Sequence, residues 1–357
     1  MRQKYYRARR MNEEVFKYFC PVSDNKDQIF PISYCTGAHC RPASPSMKIY
    51  TDITRLPPFR RAVVTIGSFD GVHLGHRQII QQLIREAAKV DGETVIITFD
   101  PHPRTILKPS SSIRLITTLK EKTELLEQMG VDNLVVVPFE EKFASLSASG
   151  YIEDFLLHHF HPHTLIIGHD HRFGKGREGD FRLLEQYAQA AAFHLIEIPQ
   201  HVLHKTGISS TRIREDLLLG NIEQANELLG YTYYFEGTVV TGNKLGRTIG
   251  YPTANIMVNN NQKITPGRGV YAVRLNTEAP KQTEKIGGMM NIGVRPTVNG
   301  TGEVIEVNLF DFADDIYGMS VRVSVYQRLR EEKKFGSLDE LKEQLAKDKL
   351  QALQALL

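Results

Sequence analysis

The sequence has no tryptophan, and its three cysteines, Cys20, Cys35 and Cys40, all lie near the start. A chain free of cysteine from residue 41 onward is not a disulfide scaffold, which fits a reducing, cytoplasmic setting. No run approaches the roughly 18 apolar residues that cross a bilayer, so no membrane-spanning helix is expected. The basic N-terminal stretch lacks a continuous apolar segment, so a cleaved secretory signal is not expected either. Internal repeats and low-complexity tracts are also missing. Histidine stops at His204, so any chemistry beyond that point cannot use imidazole.

Excess charge of one sign is lacking too. The net charge is +3, but residues 1–46 carry eight Lys/Arg against four Asp/Glu, and the remainder sums to −1. The body therefore offers no electrostatic case for nucleic-acid binding. What remains is an ordinary globular composition in 357 residues, enough for two domains.

Residues 1–46 show no sustained helical or strand period and contain turn clusters such as Cys20–Asn25. They are expected to be an upstream start outside the native protein, or a disordered arm. A metal site from the cysteines with His39 is a third reading, but it lacks the paired short spacing of zinc sites. At Met47 the character changes, and from there strand-like runs alternate with helical ones.

Short apolar runs occur at 61–66, 94–99, 134–137, 164–167 and 194–198. Helical patterns cover 77–90, 119–129, 151–160 and 181–192. On the first of these helices Ile79, Ile80, Leu83, Ile84 and Ala87 share one face. Alternation of this kind implies α/β architecture with a doubly wound parallel sheet, and ligands at the carboxyl ends of its strands.

Directly after the first apolar run stands Gly67-Ser68-Phe69-Asp70-Gly71-Val72-His73-Leu74-Gly75-His76. The glycines let a backbone approach phosphate, and the helix N-terminus offers free N–H groups. His73 and His76 can both reach the same phosphates and stabilise charge on a leaving pyrophosphate. Further on, Gly207-Ile208-Ser209-Ser210-Thr211-Arg212-Ile213-Arg214 opens another helix, with Ser210 or Thr211 as its expected N-cap and Gly220 as its stop. Hydroxyls with Arg212 and Arg214 at a helix start suit a triphosphate.

From Tyr234 the pattern turns to short β-rich runs at 234–241, 269–275, 285–292, 304–310 and 320–329, as in a small antiparallel barrel. A closing helix starts at Ser337, with Leu338, Leu341 and Leu345 as its expected apolar face. Gly242-Asn243-Lys244-Leu245-Gly246-Arg247 could close over phosphates. It is followed at once by Gly250-Tyr251-Pro252-Thr253-Ala254-Asn255, where Thr253 and Asn255 offer oxygens suited to Mg²⁺ carried by a nucleotide. Strand alternation puts Glu306 and Asn308 on one face of the 303–310 run.

The two sheet motifs resemble the HxGH nucleotidyltransferase superfamily. With Thr98-Phe99-Asp100-Pro101-His102-Pro103-Arg104 and Gly168-His169-Asp170-His171-Arg172-Phe173-Gly174 they resemble the flavin-adenylylating module of prokaryotic bifunctional riboflavin kinase/FAD synthetases. The Gly242–Gly246 and Pro252–Asn255 segments, with Ile292–Thr297 and Asp311–Gly318, resemble riboflavin kinases. The resemblance implies residues 47–232 as an FMN adenylyltransferase domain of nucleotidyltransferase type and 233–357 as a riboflavin kinase barrel with a C-terminal helix. The boundary falls near 230–233.

It also implies site residues. His73, His76, Arg214 and Glu306 would be catalytic, Glu306 as general base, with Glu303 excluded by register. Gly67, Phe69, Asp70, Gly71, Gly75, Ser209, Ser210, Thr211, Arg212, Gly242, Lys244, Gly246 and Pro252 would hold ATP. Pro101, His102, Pro103, Asp170 and Arg295 would hold flavin, and Thr253 and Asn255 the Mg²⁺. His171 stands where the family usually has an aromatic, and Asn308 where it often has histidine. The expected ligands are riboflavin, FMN, FAD and ATP, with no nucleic acid, membrane or protein partner. Another nucleotidyltransferase would not explain the barrel motifs. A non-enzymatic flavin carrier would predict loss of phosphate-handling residues that are present here. A class I aminoacyl-tRNA synthetase would want a basic RNA surface.

Overall fold

The computed structural model describes residues 46–107, 113–169, 171–199, 207–242, 245–277, 285–297 and 300–357. The leader with its cysteines lies outside the described residues, as do Asp170 and Lys244.

Six strands form the first sheet: β1 (Lys48–Tyr50), β2 (Val63–Ile66), β3 (Thr94–Asp100), β4 (Asn133–Pro138), β5 (Thr164–Gly168) and β6 (His194–Ile198). Their order is β1-β4-β3-β2-β5-β6, and every neighbouring pair is parallel. All four residues of β2 are buried, as a strand covered on both faces requires. Alternate residues feed two cores. Val64, Val95, Val135 and Leu165 meet Phe155 and Phe160 on one face, while Val63, Ile96, Leu134 and Ile166 meet Ile80, Leu83 and Leu126 on the other. The chain order reverses direction between β2 and β5, the place where such sheets bind ligands.

Helices α1 (Leu74–Lys89), α2 (Leu119–Gln128) and α3 (Phe181–Ala191) accompany the sheet. On α1 Ile80, Leu83 and Ala87 are buried, while Ile79 and Ile84 are only partly covered. Thr118 and Glu121 cap α2 reciprocally. The helical stretch at 151–160 is widened into a π-helix over Tyr151–Leu157 before a last α turn.

Two short helices, α4 (Ser210–Leu219) and α5 (Ile222–Leu229), precede a closed antiparallel barrel. Its strands are β7 (Tyr234–Val240), β8 (Ala254–Val258), β9 (Gly269–Thr277), β10 (Ile286–Thr297), β11 (Gly300–Leu309) and β12 (Ser320–Arg330). They close in the order β10-β11-β8-β7-β12-β9. Tyr233, Phe235, Tyr271, Val273, Val307 and Val323 fill the interior, and Ile116 from the sheet side joins the same core. The final helix, α6 (Leu338–Ala355), packs on β9, β10 and β12.

Three local expectations change. The α4 cap is Ser209, whose hydroxyl accepts from the Arg212 amide at 3.2 Å, because Ser209 is still extended while Ser210 is already helical. On α6 the expected stripe holds only in part: Leu345 packs as expected, but Leu338 is 60% exposed, and the contact continues through Ala352 and Leu356. Its first turn runs clear of the barrel, and burial shifts to the end anchored by Asp348, which takes a forked pair of bonds from Arg330. Strand β8 starts at Ala254, inside the expected binding motif, and runs on to Val258, and the short edge strand β1 carries no clear period of its own.

Candidate active sites

The loop Gly67–His73 leaves β2 at its carboxyl end and turns into α1. Gly67 closes the strand by donating to the Ile97 carbonyl at 3.0 Å. Gly71 has φ +86°, a left-handed value that favours glycine, and an added Cβ there would press on Ile116. His73 is the N-cap of α1, its Nδ1 accepting from the His76 amide at 3.3 Å. An accepting Nδ1 places the proton of neutral His73 on Nε2, which is a donor. The His73 and His76 rings stack at 3.6 Å between centroids, and Phe69 meets the His76 ring edge-on at 5.2 Å. Phe69 is thus a buried wall behind the histidine pair. Gly75 lies buried in the first turn of α1.

Asp70, expected to face ATP, directs its carboxylate into the protein. It accepts from the Thr117 and Ile116 amides at 2.9 and 3.2 Å and pairs with Arg214 at 2.5 Å. A carboxylate is a poor phosphate contact, so its effect is to set the loop and to orient Arg214. Burial raises the Asp70 carboxyl, but Arg214 and the Thr117 amide outweigh it and hold it below the ordinary value. Arg214 also donates to the Arg114 carbonyl at 2.9 Å. Ser210 donates to the Asp70 carbonyl at 3.0 Å, so α4 is tied to the histidine loop twice. Thr211 and Arg212 stay on the exposed first turn, where Arg212 approaches Asp216 at 3.8 Å.

The neighbouring strand β3 delivers Pro101, His102 and Pro103 beside this loop, and Pro103 begins a short helical turn. Thr98 Oγ1 donates to the Ser68 carbonyl at 3.2 Å and fastens the two strand ends together. Burial, and then the cations Arg214 and Lys122, push His102 down to about 4, against the opposing effect of Asp70. His76 is likewise well below its ordinary value, first through burial and then through His73, Lys122 and Arg214. Both imidazoles are therefore neutral near pH 7. On the other side of β2, His171 follows β5 and stacks on Phe173 at 5.7 Å, which in turn stacks on Tyr151 at 4.9 Å. The ring at this departing position still joins an aromatic row.

Sequence reasoning passes over Lys122. It reads as one more charge on an amphipathic helix, yet it is buried, with Nζ donating to Thr98 Oγ1 at 3.1 Å. Its charge helps lower Asp70, His76 and His102, while Asp70 and Asp100 favour the charged Lys122 against its burial. Only its i, i+3 and i, i+4 relation to buried Leu125 and Leu126 could have marked it as inward-facing.

In the barrel, Glu306 pairs across strands with Asn255 on β8 and Asn291 on β10. Paired residues share a face, so this polar row Asn291–Glu306–Asn255 lies opposite the core residues Ile305 and Val307. Thr253 Oγ1 stands 3.5 Å from Glu306 Oε1. Asn308 donates to the Pro252 carbonyl at 2.7 Å and so holds the segment that carries Thr253. Gly242 leaves no room for a Cβ beside the Asn255 amide, and Gly246 none beside the Tyr251 carbonyl. A cavity of about 410 Å³ opens beside Thr253, lined also by Arg247, Pro252, Phe312, Asp314 and Tyr317. Glu303 faces elsewhere and accepts from Thr265 at 3.0 Å. Asn291 is a site neighbour that the sequence alone does not reveal, because only the β10–β11 register brings it there. Arg295 lies on β10, but its side chain is outside the described residues.

Two family models match the chain: FAD synthetase over residues 57–212 and riboflavin kinase over residues 229–356. The chain is 39% identical over 308 residues to the bifunctional riboflavin kinase/FMN adenylyltransferase of Escherichia coli (strain K12), covering 86% of this chain and 97% of the relative. The protein of the same description from Listeria monocytogenes is 37% identical over 301 residues, covering 84% and 91%. A solved structure described as a macrolide-efflux protein from Streptococcus pneumoniae is 32% identical with a TM-score of 0.76, covering 85% of this chain and 98% of that one. Among the described residues no helix is long and apolar enough to cross a membrane.

Proposed function

The chain belongs to the family of bifunctional riboflavin kinases/FMN adenylyltransferases, and from that membership we propose which residues carry its two reactions. It phosphorylates riboflavin to FMN with ATP and adenylylates FMN to FAD. The barrel, divided from the sheet near residues 230–233, carries the first reaction and the sheet carries the second.

In the kinase reaction Glu306 accepts the proton of the riboflavin 5′-hydroxyl. The hydroxyl oxygen bonds to the γ-phosphorus while the bond from that phosphorus to ADP breaks. The oxygens of Thr253, Asn255 and neighbouring Glu306 gather on one barrel face, a hard donor set that fits a divalent cation. Both families use a divalent metal, and Mg²⁺ bound at Thr253 and Asn255 would neutralise phosphate charge. Gly242, Lys244, Gly246 and Pro252 frame the ATP phosphates, and Arg295 serves the flavin.

In the adenylylation a phosphate oxygen of FMN bonds to the α-phosphorus of ATP, and the α,β-bridging bond breaks to release pyrophosphate. FMN phosphate is already a nucleophile, so no strong base is needed. His73, neutral His76 and Arg214 stabilise charge on the phosphates, with Ser210 holding the α4 start beside them through the Asp70 carbonyl, which is positioning plus electrostatics. Gly67, Gly71 and Gly75 let the backbone approach the nucleotide, with Ser209, Thr211 and Arg212 at the α4 start. Pro101, His102, Pro103 and Asp170 border the flavin. The ligands needed are riboflavin, FMN, FAD and ATP, with no nucleic acid, membrane or protein partner. Two ATP-consuming steps fit the cytoplasm.

The stacked His73–His76 pair at the α1 start is the observation that supports this assignment most strongly. Chromatography of flavins after incubation with riboflavin, ATP and Mg²⁺ tests the function. FMN followed by FAD is expected. Untouched riboflavin together with unadenylylated FMN would overturn it.

A further inference from the structure

Residue Ile116 is gripped from both lobes. Its amide donates to Asp70 on the sheet side at 3.2 Å, while its carbonyl accepts from Lys263 Nζ on the barrel side at 2.6 Å. The adjoining Leu115 forms a parallel bridge with Lys263. Leu115 N donates to the Gln262 carbonyl at 2.7 Å, and Ile264 N donates to the Leu115 carbonyl at 2.9 Å. Thr117 continues the connection, its amide bonding Asp70 at 2.9 Å and its hydroxyl accepting from the Gly71 amide at 2.9 Å. One short segment therefore meets the barrel with one edge and the histidine loop with the other.

Lys263 is also paired. Its Nζ lies 2.6 Å from Glu121 Oε2, and the two residues are only 4% and 1% exposed. The same Glu121 oxygen accepts the Thr118 amide at 2.8 Å, so the pair fixes the start of α2 as well. The Lys263 ammonium lies over the Tyr233 ring at 4.7 Å. If the pair only glued the lobes together, apolar residues of similar volume would serve as well. An ammonium adds direction: it holds the Ile116 carbonyl, which leaves the Ile116 amide aimed at Asp70.

We propose that Lys263, a barrel residue, is a positioning residue for adenylyl transfer. Through Ile116 and Thr117 it fixes Asp70, and through Asp70 the loop carrying His73 and His76. The proposal rests on the assignment of adenylyl transfer to that histidine loop. A misplacement of about 1 Å in such a loop costs on the order of a hundredfold in rate.

The test measures riboflavin phosphorylation and FMN adenylylation separately in the full chain for Lys263→Met, for Lys263→Met with Glu121→Gln, and for His76→Ala. The double variant removes the pair without stranding a buried charge, so it decides the matter if the single variant fails to fold. In the folded variant kcat for adenylylation should fall at least about tenfold, with KM for FMN and the rate of riboflavin phosphorylation each within about twofold. A merely structural Lys263 would damage its own barrel first, lowering phosphorylation too. Equal loss of both reactions, or adenylylation within twofold of the unaltered chain, overturns the proposal. If His76→Ala leaves adenylylation intact, the histidine assignment falls and the proposal falls with it. If His76→Ala abolishes adenylylation and the Lys263 variants do not lower it, only the proposal falls.

Discussion

Asp70 and Arg214 form an ion pair at 2.5 Å across 144 residues of sequence. Asp70 is fully buried and the Arg214 side chain is 11% exposed, so the pair fixes the distance between the histidine loop and α4. Removing one partner of a buried pair strands the other charge, at roughly 3 kcal/mol. Asp70→Asn should lower the midpoint of thermal unfolding and reduce adenylylation at least about tenfold. Riboflavin phosphorylation measured below that midpoint should stay near normal.

Lys122 biases the histidines without being legible as a site residue. Its charge helps hold His76 and His102 below their ordinary values, although burial is the larger cause for both. Lys122→Met removes that repulsion, so both pKa values should rise. The acid limb of the adenylylation pH profile should move to higher pH, and that of riboflavin phosphorylation should not move. A profile that stays in place would separate Lys122 from the histidine pair.

His102 makes stability depend on pH in a definite window. Its folded value is about 4 against an ordinary 6.5, so between these values the unfolded chain binds the proton more tightly. Stability should therefore fall as pH drops from 6.5 toward 4. Asp70, held below its ordinary 3.8, loses its contribution only at lower pH. Denaturant unfolding of His102→Asn should show a shallower fall over the window from 6.5 to 4 than the unaltered chain.

Asn308 holds the Pro252 carbonyl at 2.7 Å. Asn308→Ala should cost about 1 kcal/mol of stability. With Thr253 less well placed, KM for ATP in riboflavin phosphorylation should rise several-fold and adenylylation should not change. Steady-state kinetics of the two reactions checks this.

Local signals carried much of the architecture. Apolar runs such as 61–66 and 164–167 contain the sheet strands β2 and β5, and the Gly–His loop sits at a strand's carboxyl end because parallel α/β geometry puts it there. Long-range relations were not legible. Nothing near Asp70 shows that Arg214 arrives to pair with it, and nothing near Glu306 shows that Asn291 lies across the strand. Ser209, Ser210 and Thr211 are equally good caps by composition, and only the backbone decides among them. On α6 the leucines at 338 and 341 match a helical period, but the barrel covers a later stretch of the helix.

The separation of the two sites is tested most directly by Glu306→Ala and His76→Ala, each measured in both half-reactions in folded protein. Loss of a general base costs roughly a hundredfold or more. Glu306→Ala should abolish FMN formation from riboflavin and leave FAD formation from supplied FMN within about twofold. His76→Ala should do the reverse. Loss of both reactions from either single substitution would contradict two independent sites, one in each lobe of the chain.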